Sequence, residues 1–243
     1  MERLRVGSLT DIGKVREINQ DSYSADAERG FFIVADGMGG HAAGEKASQT
    51  AVQTIKERLD NGAVAASNGQ LLDLLQTSIQ DANREIINAS MENASMRGMG
   101  TTATVIVLKA NQMYVGHVGD SRAYLIRNRR IDQITEDHSI VAQLVRARAI
   151  TPQEAARHPY RNVITRCLGM QVDVEADTQQ RELKPGDRLL ICSDGLSGLV
   201  SDDEMLQYVL SSDEPQKTCH DLVNLALERG GSDNITVVLI YND

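Results

Sequence analysis

Cysteine is scarce in this 243-residue chain, with three in all: Cys167, Cys192 and Cys219, far apart and with no Cys-x-x-Cys pair. An odd, scattered set supplies neither a disulfide framework nor a zinc knuckle, and it suits a reducing cytoplasm. Long apolar runs are missing too. Nowhere do about eighteen apolar residues follow one another, and the N-terminus MERLRVGSLTDIG carries charge from its second residue with no apolar stretch behind it. Neither a membrane span nor a secretion signal is expected. Positive charge is in deficit, 25 Lys and Arg against 34 Asp and Glu, for a formal net charge of -9. Nucleic acid and anionic membranes demand the opposite excess, so neither is expected as a partner. The one basic cluster, Arg127-Asn128-Arg129-Arg130, lies between two strand-like runs and reads as a solvated hairpin tip. Only four prolines occur, all in the second half, and no repeat, low-complexity tract or linker is visible, which leaves one globular domain over residues 1–243. With 41% hydrophobic residues the chain can bury a substantial core.

Apolar residues at every fourth position predict a helix over 43–59, from Ala43 through Ala47, Ala51 and Ile55 to Leu59, and a second over 70–89. Thr151-Pro152-Gln153-Glu154 and Ser201-Asp202-Asp203-Glu204 are capping boxes, and a last helix at about 215–229 runs into Gly230-Gly231. Strands are expected at 3–9, 21–25, 31–35, 101–108, 112–118, 121–127, 131–134, 188–193 and 235–241. Several are separated by only a few residues, which permits hairpins and forbids helical crossovers. Largely antiparallel sheets with helices packed outside them, an α+β layered fold, follow.

Three of these strands, FFIVADG, MYVGHVGDS and LLICSDG, end on an aspartate, namely Asp36, Asp120 and Asp194. Asp233 stands in GGSDN just before the C-terminal strand, and Asp21 follows the polar run Arg16-Glu17-Ile18-Asn19-Gln20. One Asp-Gly after a strand is an ordinary turn. Several with the same placement would bring carboxylates together at one end of a sheet, where they repel unless cations neutralise them. All-oxygen ligands select Mg²⁺ or Mn²⁺ over zinc. Gly37, without a Cβ, would let its own carbonyl approach as a further oxygen ligand beside Asp36.

Other phosphate chemistries are excluded by residue. GGHAAGEK at 39–46 has Glu45 where a Walker A loop needs lysine, and GMGTTA at 98–103 precedes a strand instead of opening a helix. No cysteine has an arginine six residues on, as a cysteine-nucleophile phosphatase loop needs, and there is no Asp-x-Asp, no His-Glu-x-x-His and no Gly-x-Ser-x-Gly.

The ordered blocks VREINQDSY, VADGMGGHAAGE, GMGTTATV, HVGDSRAYL, ITEDHS, CSDGL and GGSDNITVVL resemble the bacterial branch of the metal-dependent Ser/Thr protein phosphatases, the type 2C or PPM family, over essentially the whole chain. The resemblance implies a four-layer α-β-β-α sandwich of two largely antiparallel sheets with a two-metal centre of Mg²⁺ or Mn²⁺ at one end. By motif, Asp36 would bridge the ions, the Gly37 carbonyl would complete one of them, and Asp194 and Asp233 would hold the other. Asp21 would lie beside the centre through water, and Asp120 with Asp194 would form a third, weaker site. Arg16 would bind the substrate phosphate. His41 would contact substrate or donate a proton, or else serve the start of the following helix; animal members place a histidine where this chain has Met38. His138 would organise its loop, and His117, inside a strand, reads as a core histidine. Residues 139–166 correspond to the flap of bacterial members.

A water activated between two metals attacks a phosphoryl group with no protein nucleophile, and a guanidinium fork suits the phosphate. The expected activity is therefore hydrolysis of phosphoserine and phosphothreonine in proteins, opposing a cognate Ser/Thr kinase, by a cytoplasmic monomer. A partner-binding pseudophosphatase and a hydrolase of small phosphate esters are the alternatives.

Overall fold

A computed structural model describes residues 4–40, 43–63 and 66–243. The chain runs β1 (Leu4–Asp11), β2 (Asp21–Asp26), β3 (Phe31–Met38), α1 (Ala43–Gly62), α2 (Asn68–Glu92), a 3₁₀ turn (Ala94–Met96), β4 (Gly100–Thr101), β5 (Ala103–Lys109), β6 (Gln112–Val118), β7 (Arg122–Arg127) and β8 (Arg130–Gln133). It continues through α3 (Ile140–Arg146), α4 (Pro152–Ala155), β9 (Asp177–Glu182), β10 (Arg188–Cys192), α5 (Asp194–Ser197), α6 (Asp202–Ser211), α7 (Pro215–Glu228) and β11 (Ile235–Asn242).

Two sheets form, one in the order β1-β11-β10-β7-β8, the other β2-β3-β5-β6-β9 with β4 paired to β3. Every strand pair is antiparallel. β11 lies second in its sheet, and all eight of its residues, ITVVLIYN, are buried. A strand covered on both faces reads as a continuous apolar run. Phe32, Val34, Ile106, Val115, Leu189, Ile191, Val238 and Ile240 fill the space between the sheets. Ala47, Ala51, Ile55 and Leu59 of α1, with Leu75, Ile79 and Ile86 of α2, cover the outer face of the second sheet. Met205, Val209, Leu222 and Val223 of α6 and α7 cover the first. The layers are therefore α-β-β-α, as the motifs implied.

Element ends moved little from the expected ones, with three exceptions. The run at 101–108 is split at Thr102 into β4 and β5. Residues 177–182, DTQQRE, form β9, a strand the apolar pattern does not announce. The capping box at Thr151 closes a single turn, α4, with Glu154 accepting from the Thr151 backbone N–H at 2.7 Å. The basic cluster is a two-residue hairpin turn, with Asn128 and Arg129 at φ 52° and 60°, the twist a tight hairpin requires. Among the described residues no helix is long and apolar enough to cross a membrane.

Candidate metal centre

β2 and β3 are in a register that places Asp21 directly opposite Asp36. Like charges facing across a strand pair destabilise it, so this pairing needs a counterweight. Asp194 opens the short α5 just after β10, and Asp233 lies two residues before β11; both strands belong to the other sheet. Asp120 stands in the β6–β7 connection that passes between the sheets. The five acids thus come from both layers to one end of the sandwich.

Three of them, Asp21, Asp36 and Asp233, are held by groups far away in sequence. Asp21, 7% exposed, accepts from the Ser193 and Thr236 hydroxyls on Oδ2, both at 2.7 Å. The Asp36 backbone N–H donates to Thr102 Oγ1 at 2.9 Å, and its carbonyl accepts from the Thr102 N–H and the Thr101 hydroxyl. Asn234 ties the loop carrying Arg16 to β11: its Oδ1 accepts from the Gln20 N–H at 2.8 Å, and its Nδ2 donates to the carbonyls of Ile12 and Ile18. Arg16 donates to Asp233 Oδ2 at 2.8 Å, with about half its side chain in solvent. Gly37 is where three backbones meet. A Cβ there would collide with the Gly44 carbonyl oxygen at the start of α1 and lie 2.6 Å from the Gln20 carbonyl oxygen.

Asp21, Asp36, Asp120 and Asp194 resist ionisation. Burial raises Asp21 to about 7, against its two hydroxyl donors, and the charges of Asp194 and Asp233 add to the rise. Burial likewise raises Asp120 to about 8, aided by Asp194 and Asp137 and opposed by its own backbone N–H and by Arg122. Asp36 is raised well above the carboxylate range by burial and then by Asp21, Asp194, Asp120 and Asp233. Asp194 is raised by burial and by Asp233, while a hydrogen bond with the Asp36 carboxyl pulls it back.

Three carboxylate oxygens here, Asp21 Oδ1, Asp120 Oδ1 and Asp194 Oδ1, are buried with no hydrogen-bond partner among the described residues. Unpaired buried carboxylate oxygens are costly, and a hard divalent cation is the partner such atoms fit. Among the described residues no three acidic, histidine or cysteine side chains close tightly on one point. Mg²⁺ needs no such cage, because it keeps several waters and takes one or two carboxylates. The residues present therefore fit the cations the motifs implied.

A pH dependence follows for the metal-free protein. The folded state holds Asp21 and Asp120 at about 7 and about 8, against about 3.9 in an unfolded chain, so it binds more protons than the unfolded state between those values. Stability is then expected to fall as pH rises from about 4 to about 8. Urea unfolding in EDTA across that range measures it, and a rise in stability over the same interval would contradict the shifts.

Of the remaining predicted residues, His41 lies outside the described residues. His117 is a core histidine, Nδ1 against the Thr104 hydroxyl at 3.0 Å and Nε2 against the Glu136 carbonyl at 3.1 Å, and burial lowers it to about 4. His138 accepts from the Gly119 N–H on Nδ1 and meets Asp177 and Arg166 through Nε2. It thereby ties the base of the 139–166 segment to β9 and to the turn bearing Asp120.

The family model described as Protein phosphatase 2C matches residues 2–235. The chain belongs to the protein phosphatase 2C family. It is 36% identical over 237 residues to the serine/threonine phosphatase stp of Listeria monocytogenes, covering 96% of this chain and 94% of that one. It is 42% identical to the serine/threonine protein phosphatase PstP of Mycobacterium tuberculosis, over 97% of this chain and 44% of that protein. A crystal structure of the Mycobacterium tuberculosis phosphatase superposes with a TM-score of 0.92 at 41% identity, over 99% of both chains. The catalytic domain of PstP in complex with two manganese ions superposes with a TM-score of 0.88 at 40% identity, over 98% of this chain and 97% of that one.

Proposed function

We propose that this chain is a protein serine/threonine phosphatase in which Asp36, the Gly37 carbonyl, Asp194 and Asp233 hold two Mn²⁺ or Mg²⁺ ions, with Asp21 beside them and Asp120 with Asp194 at a third, weaker site. The observation that carries the reading is the set of buried, unpartnered carboxylate oxygens on Asp21, Asp120 and Asp194 at one end of the sandwich. The relatives supply the activity. Bound divalent cations supply an activated water and Lewis-acid polarisation of the phosphoryl oxygens.

The chain's own residues do the rest. Asp36 and Asp194 would ionise as cations bind, since the same burial and neighbouring charges that raise their pKa values draw in positive charge. Ser193 and Thr236 keep Asp21 aimed at the centre. Arg16 is charged at every working pH, and Asp233 and the fields of Asp36 and Asp194 hold it at the rim. Its planar fork offers two charge-assisted hydrogen bonds to a substrate phosphate. His41 contacts the substrate or donates a proton to the leaving serine or threonine oxygen. Residues 139–166 act as a flap over the site. They close on themselves through the Ser139–Ile164 bridge, and Arg146 and Arg166 are committed to Glu136 and Asp177, which leaves Arg148, Arg157 and Arg161 for phosphoprotein. A cognate Ser/Thr kinase makes the substrates, and the enzyme works as a cytoplasmic monomer.

Phosphate release from a phosphothreonine peptide and from an aryl phosphate, with Mn²⁺ and then with EDTA, tests the reading: turnover with metal and none with chelator is expected, and no metal-dependent turnover would overturn it. Arg16→Ala is expected to raise KM for the peptide about tenfold, the loss of a charge-assisted phosphate contact. An unchanged KM would remove Arg16 from substrate binding.

A further inference from the structure

Three of the eight methionines gather beside the acids. Met38 follows Gly37 in β3, and its partner across the β3–β4 pair is Gly100. On the other side of β4, Leu168 bridges Thr101, which brings Met170 alongside. A Cβ at Gly100 would lie 3.3 Å from Met170 Cγ and 3.4 Å from Met38 Cγ, so the two thioether chains flank a bare glycine. Met99 is fully buried next to them. Met170 is 58% exposed and Val172 78%, while Met38 is half-buried. Any side chain at Gly100 would also press on the Leu168 carbonyl oxygen, 2.8 Å from its Cβ. The glycine keeps this surface low and open.

Position decides what the surface meets. Met38 lies one residue, about 3.8 Å between Cα atoms, from Gly37, and the neighbouring segments follow at strand spacings of about 4.8 Å. An extended peptide advances about 3.3 Å per residue. With the phosphorylated residue at the acid centre, a side chain one to three positions away comes within reach of Met38 and Met170. Unbranched thioethers adapt to several apolar shapes, which suits a surface that meets more than one sequence.

The geometry points to Met38 and Met170 as a specificity-determining apolar lip, one that takes a Leu, Ile, Val, Met or Phe side chain one to three residues from the phosphorylated serine or threonine. This inference rests on the protein phosphatase reading above. The test is a set of phosphothreonine peptides carrying Leu or Ser at each position within three residues of the phosphothreonine, with an aryl phosphate as a report on the metal centre. At one or more positions Leu raises kcat/KM about fivefold over Ser, chiefly through KM, the discrimination that partial burial of one apolar side chain supports. Met170→Ser reduces that ratio to within about twofold, and Met170→Leu retains it. Met38→Ser, half-buried where Met170 is exposed, gives a second reading of the same ratio.

Aryl phosphate turnover with no Leu preference in the wild type overturns the lip and leaves the phosphatase reading standing. So does a preference that survives both serine variants. Absence of Mn²⁺-dependent turnover of every substrate sinks the phosphatase reading and the lip with it.

Discussion

Asp36→Asn lowers kcat on a phosphothreonine peptide about a thousandfold at saturating Mn²⁺, and at pH 8 it raises the thermal midpoint of the metal-free protein. Both effects come from one feature. The Asp36 carboxyl is surrounded by Asp21, Asp194, Asp120 and Asp233, and burial with those charges raises its pKa well above the ordinary range. The amide is nearly isosteric and never ionises, so it removes a charge that the fold resists. It also removes a carboxylate that the proposed metal centre would use as a ligand. Metal polarisation is worth several kcal/mol of barrier, and about 1.4 kcal/mol is a factor of ten, which sets the scale of the loss. Asp194→Asn follows the same course, since Asp194 Oδ1 is among the buried unpaired oxygens. Steady-state kinetics and calorimetry in EDTA measure the two halves. Full activity would refute the metal assignment, and a metal-free midpoint lowered by several degrees would refute the account of strain.

Gly37→Ala is the second large effect, and it acts through backbone. A methyl there collides with the Gly44 carbonyl group and lies 2.6 Å from the Gln20 carbonyl oxygen. Neither is a side chain that can swing away, so α1 and the loop before β2 must separate. Overpacking costs about 1–3 kcal/mol, with the upper end expected where only backbone can yield, and the displacement moves Asp36 relative to Asp21. Loss of Mn²⁺ binding by titration calorimetry and a lowered urea midpoint are expected. Gly69→Ala is the contrast: that glycine lies in α2 with nothing within 4 Å of a Cβ, and alanine there is expected to stabilise by about 0.5–1 kcal/mol. Equal midpoints for the two variants would show that the close approach at Gly37 is not rigid.

Much of this arrangement is legible in the sequence because it repeats. Strand, then aspartate, then a small residue occurs at Asp36, Asp120 and Asp194, and buried strands such as β3, β5 and β11 carry the unbroken apolar runs that mark them. The supports of the acids are not legible in the same way. Ser193 and Thr236 reach Asp21 from 172 and 215 residues away, and nothing local distinguishes them from turn hydroxyls. Asn234, next to Asp233, fastens a loop 216 residues distant through the Ile18 carbonyl. Thr101 and Thr102 sit in the GMGTTA block, whose glycine spacing suggests a nucleotide loop, yet their work is to hold the backbone of Asp36. Arg16, which the motif assigns to phosphate, also has a carboxylate partner in Asp233. In each case the missing information is a long-range pairing that strand register decides.

β9 escapes the sequence pattern for a different reason. DTQQRE has one half-buried residue and five exposed ones, so neither face carries an apolar signal, and the strand exists because β6 offers it a ladder. It is the last strand of its sheet. An apolar strand in that place would present an open row of backbone donors and acceptors to any other chain. Asp177, Arg181 and Glu182 put charge along that row instead, and a second molecule's strand would have to strip water from them to add on. The segment that contributes least to the core is the one that discourages the sheet from growing into a fibril.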